Sequence, residues 1–121
     1  MNKSILLDIS IDFATKIISL VKCLRENKET IISNQIGRSA TSIGANIHEA
    51  QYGNSKADFI AKLHIALKEA NETKYWLILL SKTNYINEDE FKTLENECEK
   101  IKAMLIKSLN TAKKNKQEVC T

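Results

Sequence analysis

The chain contains no proline, and only three glycines, Gly37, Gly44 and Gly53, among 121 residues. β-Sandwiches, barrels and α/β folds need many tight turns, and turns draw heavily on those two residue types. Their scarcity leaves an architecture of a few long helices. Cysteine is confined to Cys23, Cys98 and Cys120, an odd number with no Cys-x-x-Cys pair. That pattern speaks against a disulfide framework or a zinc site and is natural to the reducing cytoplasm. The longest plainly apolar run, Trp76 to Leu80, falls far short of the roughly 20 residues a membrane span needs. The first residues carry Asp8 and Asp12 and do not read as a secretory signal. No Gly-rich phosphate loop occurs.

What is present is a 43% hydrophobic, 27% charged composition, that of a folded domain rather than a disordered chain. The length fits one domain over residues 1–121, large enough to bury a core without covalent staples. Four helical segments follow from the apolar spacing. The first runs from Ser4 or Ile9 to Arg25, with Phe13, Ile17, Leu20 and Leu24 as its stripe. The second runs from Glu29 to Tyr52, with Ile32, Ile36, Ala40, Ile43, Ile47 and Ala50 inward, and Gly53 is placed as a left-handed cap.

Ser55-Lys56-Ala57-Asp58 reads as a capping box opening the third helix. Its stripe is Phe59, Leu63, Ala66, Ala70, Thr73, Leu77 and Leu80, and it ends near 82–84. Asn87 opens the fourth, whose stripe is Phe91, Leu94, Cys98, Ile101, Leu105 and Ser108. Residues 113–121 read as a polar, flexible tail. Short connections make successive helices antiparallel neighbours, so the expected fold is an all-α, up-down-up-down four-helix bundle.

The second helix is unusual. Between Thr30 and Glu49 only Arg38 and Glu49 are fully charged, and Gly37 and Gly44 lie inside it. Each interior glycine costs about 1 kcal/mol relative to alanine, which close approach of another helix would explain. Gly37, Thr41 and Gly44 share a face, so the helix is packed either in a tight bundle of its own or also against a neighbouring subunit. On the third helix Lys62, Ile65, Glu69, Glu72, Trp76 and Leu79 form an outer row, in which Ile65, Trp76 and Leu79 would be exposed in a lone bundle, and a tryptophan there is either an interface anchor or a cap on the bundle end. Together these residues mark an expected homo-oligomer interface.

Arg38, Ser42, Asn46 and Glu49 make a polar row on helix two, either fixing helix register or forming a ligand site. Six lysines and no acid fall between Lys100 and Lys116, whereas six acids and one lysine fall between Glu88 and Glu99. Helix-dipole complementarity explains this gradient, and a basic contact surface also would. The net charge of +3 permits a nucleic-acid partner without demanding one. Lys100, Lys102, Lys107, Lys113 and Lys114 are the candidate contacts.

Chemistry is scarce. Ala45 and Ala61 stand three residues before His48 and His64, so the Glu-x-x-His motif of di-iron bundles is missing. No catalytic residue, metal ligand or cofactor is expected, and the chain reads as non-enzymatic.

The stretch from Gln35 to Ala50, QIGRSATSIGANIHEA, resembles the four-helix-bundle protein family, also called the 23S-rRNA intervening-sequence protein family. So do Ala57 to Ala70 and Tyr75-Trp76-Leu77. The likeness extends over about residues 13–109. It implies an antiparallel bundle assembled as a ring, typically a homopentamer, with no known activity for most members. Some members are encoded within intervening sequences of large-subunit ribosomal RNA genes. A related group, the accessory variability protein of diversity-generating retroelements, is a basic pentamer that binds nucleic acid and a reverse transcriptase. The expected partners are therefore copies of the chain itself, and RNA or a nucleic-acid-processing protein.

Overall fold

The computed structural model describes the backbone of residues 2–120 and the side chains of residues 5–114. It contains four helices: α1 (Asn2–Glu26), α2 (Ile31–Ala50), α3 (Lys56–Lys82) and α4 (Glu88–Cys120). No strand occurs among the described residues. α1 packs on α2, α2 on α3 and α3 on α4, and α4 closes more thinly on α1, so α2 and α4 occupy opposite corners. This is the expected all-α, antiparallel four-helix bundle. The α4 backbone stays helical through Cys120, and the tail expected over 113–121 falls mostly on residues whose side chains lie outside those described.

The expected stripes form the core. Phe13, Ile17, Leu24, Ile36, Ile43, Ile47, Leu77, Leu80, Ile101 and Leu105 are fully buried. Leu20, Phe59, Phe91 and Ser108 are only half-buried, at stripe edges. Three buried hydroxyls join the core by finding partners. Ser39 Oγ and Thr73 Oγ1 share a hydrogen bond of 2.8 Å between α2 and α3. Ser10 Oγ donates to the Leu6 carbonyl at 2.9 Å. A buried hydroxyl left unpaired would cost about 1–3 kcal/mol, so these bonds make the sites tolerable.

The helix ends use local chemistry. Lys28 (φ 66°) and Asn84 (φ 65°) take the left-handed conformation after α1 and α3. At the first, Glu29 N–H donates to Leu24 O and Lys28 N–H to Arg25 O. At the second, Tyr85 N–H reaches Leu80 O and Asn84 N–H reaches Ser81 O. Both are Schellman closures of free carbonyls.

Gly53 is not the left-handed cap expected of it, since no glycine has positive φ. α2 ends through short-range bonds instead, from the N–H groups of Gln51, Tyr52 and Gly53 to His48, Glu49 and Ala50 O. What Gly53 supplies is space. A Cβ there would lie 2.8 Å from Asp58 Oδ2 and 3.3 Å from Ala50 O.

α2 starts two residues later than the pattern predicts. The Glu29 carboxylate lies just before the helix and accepts from the N–H groups of Ile31 (3.1 Å), Ile32 (3.0 Å) and Ser33 (2.7 Å). α3 starts as predicted, with Ser55 Oγ accepting from Asp58 N–H at 3.1 Å. Asn87 and Glu90 cap α4 reciprocally, at 2.8 and 3.1 Å.

Candidate interaction surfaces

Gly37 and Gly44 do permit close approach of another helix, and that helix is α1 of the same chain. A Cβ on Gly37 would stand 3.5 Å from Val21 Cγ2, and one on Gly44 would stand 3.5 Å from Ser10 Cβ. The glycines therefore set the α1–α2 seam. Thr41 between them points outward, its hydroxyl donating to the Gly37 carbonyl at 2.8 Å.

The polar row divides. Arg38 reaches across to α3, where it pairs with Glu72 and with Glu69 Oε1 at 3.3 Å. It also donates to Gln35 Oε1 at 3.1 Å. Trp76 Nε1 donates to the same Glu72 at 3.0 Å, so Arg38, Glu72 and Trp76 form one cluster over the α2–α3 seam. Ser42 and Asn46 close bonds within α2, to Arg38 O and Ser42 O, each at 2.8 Å. Glu49 is exposed and makes no ion pair among the described residues. The row is thus one cross-helix clamp and two local bonds.

Both flanks of α2 expose apolar side chains, on the α3 side around the Arg38, Glu69 and Glu72 cluster. On the α3 flank, Ile65 is 41% exposed and Trp76 and Leu79 are half-buried. On the α1 flank, Ile11 and Ile18 are 51% and 45% exposed, in a row with the half-buried Leu7 and Ala14. Arg25 continues that row and donates to Asn34 of α2 at 2.8 Å, so the α1 row borders the exposed edge of α2. That edge is Asn34, Thr41, Ala45 and His48. Sequence reasoning missed Ile11 and Ile18. The signal was there: they stand one position beyond Ser10 and Ile17, which places them outside the core stripe.

The lysines do not form one patch. Lys100, Lys107 and Lys114 recur every seven residues along one side of α4, while Lys102 and Lys113 lie eleven apart on another. Lys102 Nζ and Lys74 Nζ both bind Glu99, at 3.1 and 3.2 Å. Hydrogen bonding from Lys102, and then from Lys74, holds the Glu99 carboxyl below its ordinary value against the opposing effect of desolvation. Lys102 is therefore partly neutralised where it stands.

Other chemistry is muted. The Cys98 thiol donates to the Ala70 carbonyl at 3.3 Å, and burial pushes its pKa up to about 12, so it stays protonated. His64 is exposed, and His48 packs against Tyr52 with ring centroids 5.2 Å apart. Among the described residues no helix is long and apolar enough to cross a membrane, and no group of three metal-binding side chains occurs.

This bundle, with its sparsely charged second helix and Arg38 clamp, can be set beside known proteins. A family model described as 23S rRNA-intervening sequence protein matches residues 2–107. The chain belongs to that family. A crystal structure of a protein of unknown function from the S23 ribosomal protein family of Bacteroides thetaiotaomicron is 49% identical. It covers 91% of this chain and 99% of its own, with a TM-score of 0.88. No curated protein matches. The intervening-sequence family thus accounts for the fold and for the helix-two motif that carried the resemblance.

Proposed function

We propose that this protein is a non-enzymatic, self-assembling scaffold that forms a closed ring through the face centred on α2. The observation that carries the reading is the pair of apolar flanks on either side of α2: Ile11 and Ile18 on α1, and Ile65, Trp76 and Leu79 on α3. A ring of more than two subunits joins two different surfaces head to tail, and these flanks supply two. The family resemblance favours five copies. Single exposed apolar residues need no explanation, but two sets of them bordering a helix with only two charges do.

The ring presents α4 outward to RNA or to a nucleic-acid-processing protein. Each copy contributes +3, so five give +15. The row Lys100, Lys107 and Lys114 is the basic edge offered to phosphate. An alternative is a protein–protein adaptor with no nucleic-acid role, and the Glu99 pairing of Lys102 favours it, because it removes one lysine from the basic surface.

Light scattering at micromolar concentration tests the assembly. A mass near five times 13.7 kDa is expected, and a monomer at all concentrations sinks the reading. Titration with a random-sequence RNA at rising salt separates the two roles. A scaffold for RNA loses affinity steeply between 50 and 200 mM salt, whereas an adaptor shows no binding at either.

A further inference from the structure

The end of the bundle where α2 gives way to α3 holds a cavity of about 610 Å³. It opens because α4 packs thinly on α1, and because Ala50 and Ala112 leave room at this level. Its floor is apolar: Leu6 from α1, Phe59 and Leu63 from α3, and Met104 from α4. Its rim carries Lys56 and Lys107. Among the described residues neither lysine forms an ion pair, and no carboxylate lines the cavity. Ser108 and Thr111 also line it. Elsewhere in the bundle Ser10, Thr41 and Thr73 spend their hydroxyls on carbonyls one turn back. Among the described residues the hydroxyls of Ser108 and Thr111 make no such bond.

We propose that this cavity binds an amphipathic monoanion, a single alkyl chain ending in a carboxylate. The volume lies inside the range of about 300–1,000 Å³ typical of small-molecule sites. The apolar floor suits the chain. Two unpaired lysines suit the head group, since an ammonium is a compact point charge that needs no fixed bidentate geometry. The site is distinct from the α2 face and shares only Lys107 with the basic row, and its occupancy needs no RNA.

Calorimetric titration of the full chain with sodium dodecanoate, kept below its micellar concentration, tests this directly. One dodecanoate should bind per chain, at least about tenfold more tightly than dodecyltrimethylammonium, which has the same tail and the opposite charge. Lys107→Glu, an exposed substitution that leaves the fold intact, should weaken dodecanoate by about tenfold or more. Lys100→Glu, one repeat away on the same row but outside the cavity, should leave it unchanged. Met104→Trp fills the floor and should abolish binding with the helical circular dichroism preserved. Equal binding of the two head groups, indifference to Lys107→Glu, or no binding at all overturns the assignment.

Discussion

α2 and α4 stand at opposite corners of one bundle and bury similar apolar stripes, yet their outer surfaces have little in common. From Ile31 to Ala50, α2 carries two fully charged residues, Arg38 and Glu49. From Glu88 to Lys114, α4 carries twelve. Core packing does not demand this difference, because both helices satisfy it with a single face. Water would accept charge on either helix at little cost. A helix with only Arg38 and Glu49 charged over five turns, and with exposed isoleucines on its border, has the composition that the proposed protein-facing surface needs. α4 shows what a solvated helix of this bundle looks like, and α2 is read by contrast with it.

The most direct way to break the contrast is to give the α2 face the chemistry of α4. Ile11→Glu combined with Ile18→Glu should convert the assembly to a 13.7 kDa monomer in light scattering. Both positions are about half exposed, so monomer stability should move by no more than about 0.5 kcal/mol per site. Ile106→Glu is the matched control, because Ile106 on α4 is similarly exposed at 44%. It should leave the mass unchanged. Equal sensitivity at the two faces would erase the distinction between them.

A smaller effect separates what the glycines do from what the α2 face does. Gly44 sits against Ser10 of α1, with 3.5 Å available to a Cβ. Gly44→Ala therefore fits in ordinary contact and should stabilise by about 0.5–1 kcal/mol, since alanine restricts the unfolded chain and favours helix. Gly44→Leu pushes its side chain into Ser10 and should destabilise by about 1–3 kcal/mol. Urea unfolding of the two variants measures both signs. The damage in Gly44→Leu falls on the α1–α2 seam, so loss of stability and loss of assembly should appear together. In the isoleucine variants only assembly is lost.

The fold was legible because its signals are periodic and local. Apolar residues at spacings of three and four placed the four stripes, and Ser55 and Asn87 announced two helix starts through side chains that act within one turn. The α2 start was misjudged because Glu29 caps from outside the helix, with a carboxylate long enough to reach three N–H groups. Short N-cap residues are the usual signal, and a glutamate there looks like part of the first turn. Gly53 was misread for a related reason. Its need for glycine comes from Asp58, five residues on, not from its own backbone angle.

The candidate surfaces were less legible than the fold. Periodicity assigns a residue to a face but does not say what that face meets. Gly37 and Gly44 read as packed in a tight bundle or also against a neighbouring subunit, and only the placement of Ser10 and Val21 shows that α1 makes the close approach. Arg38 and Glu49 looked like members of one row, yet the partners of Arg38 are Glu69 and Glu72, more than thirty residues away. Long-range pairings of this kind leave no mark in the spacing of either helix.

The smallest expected effect concerns how charge is used on α4. Glu99 joins α3 to α4 through Lys74 and holds Lys102 on its own helix. Its carboxyl sits below the ordinary value, so the folded state binds a proton there less readily than the unfolded chain does. The stabilisation is accordingly complete above the ordinary carboxylate range and fades as pH falls through the folded value. Glu99 is substantially exposed, and pairs of this kind contribute at most about 1 kcal/mol. Urea unfolding of the parent and of Glu99→Gln should therefore differ by up to that amount at pH 7 and low salt. The difference should narrow at 1 M salt and shrink steadily as pH falls below the ordinary carboxylate range toward 3. A difference that stays undiminished at pH 3 would mean that Glu99 stabilises through packing of its aliphatic stem, and α4 would then owe less to its charges than the contrast with α2 implies.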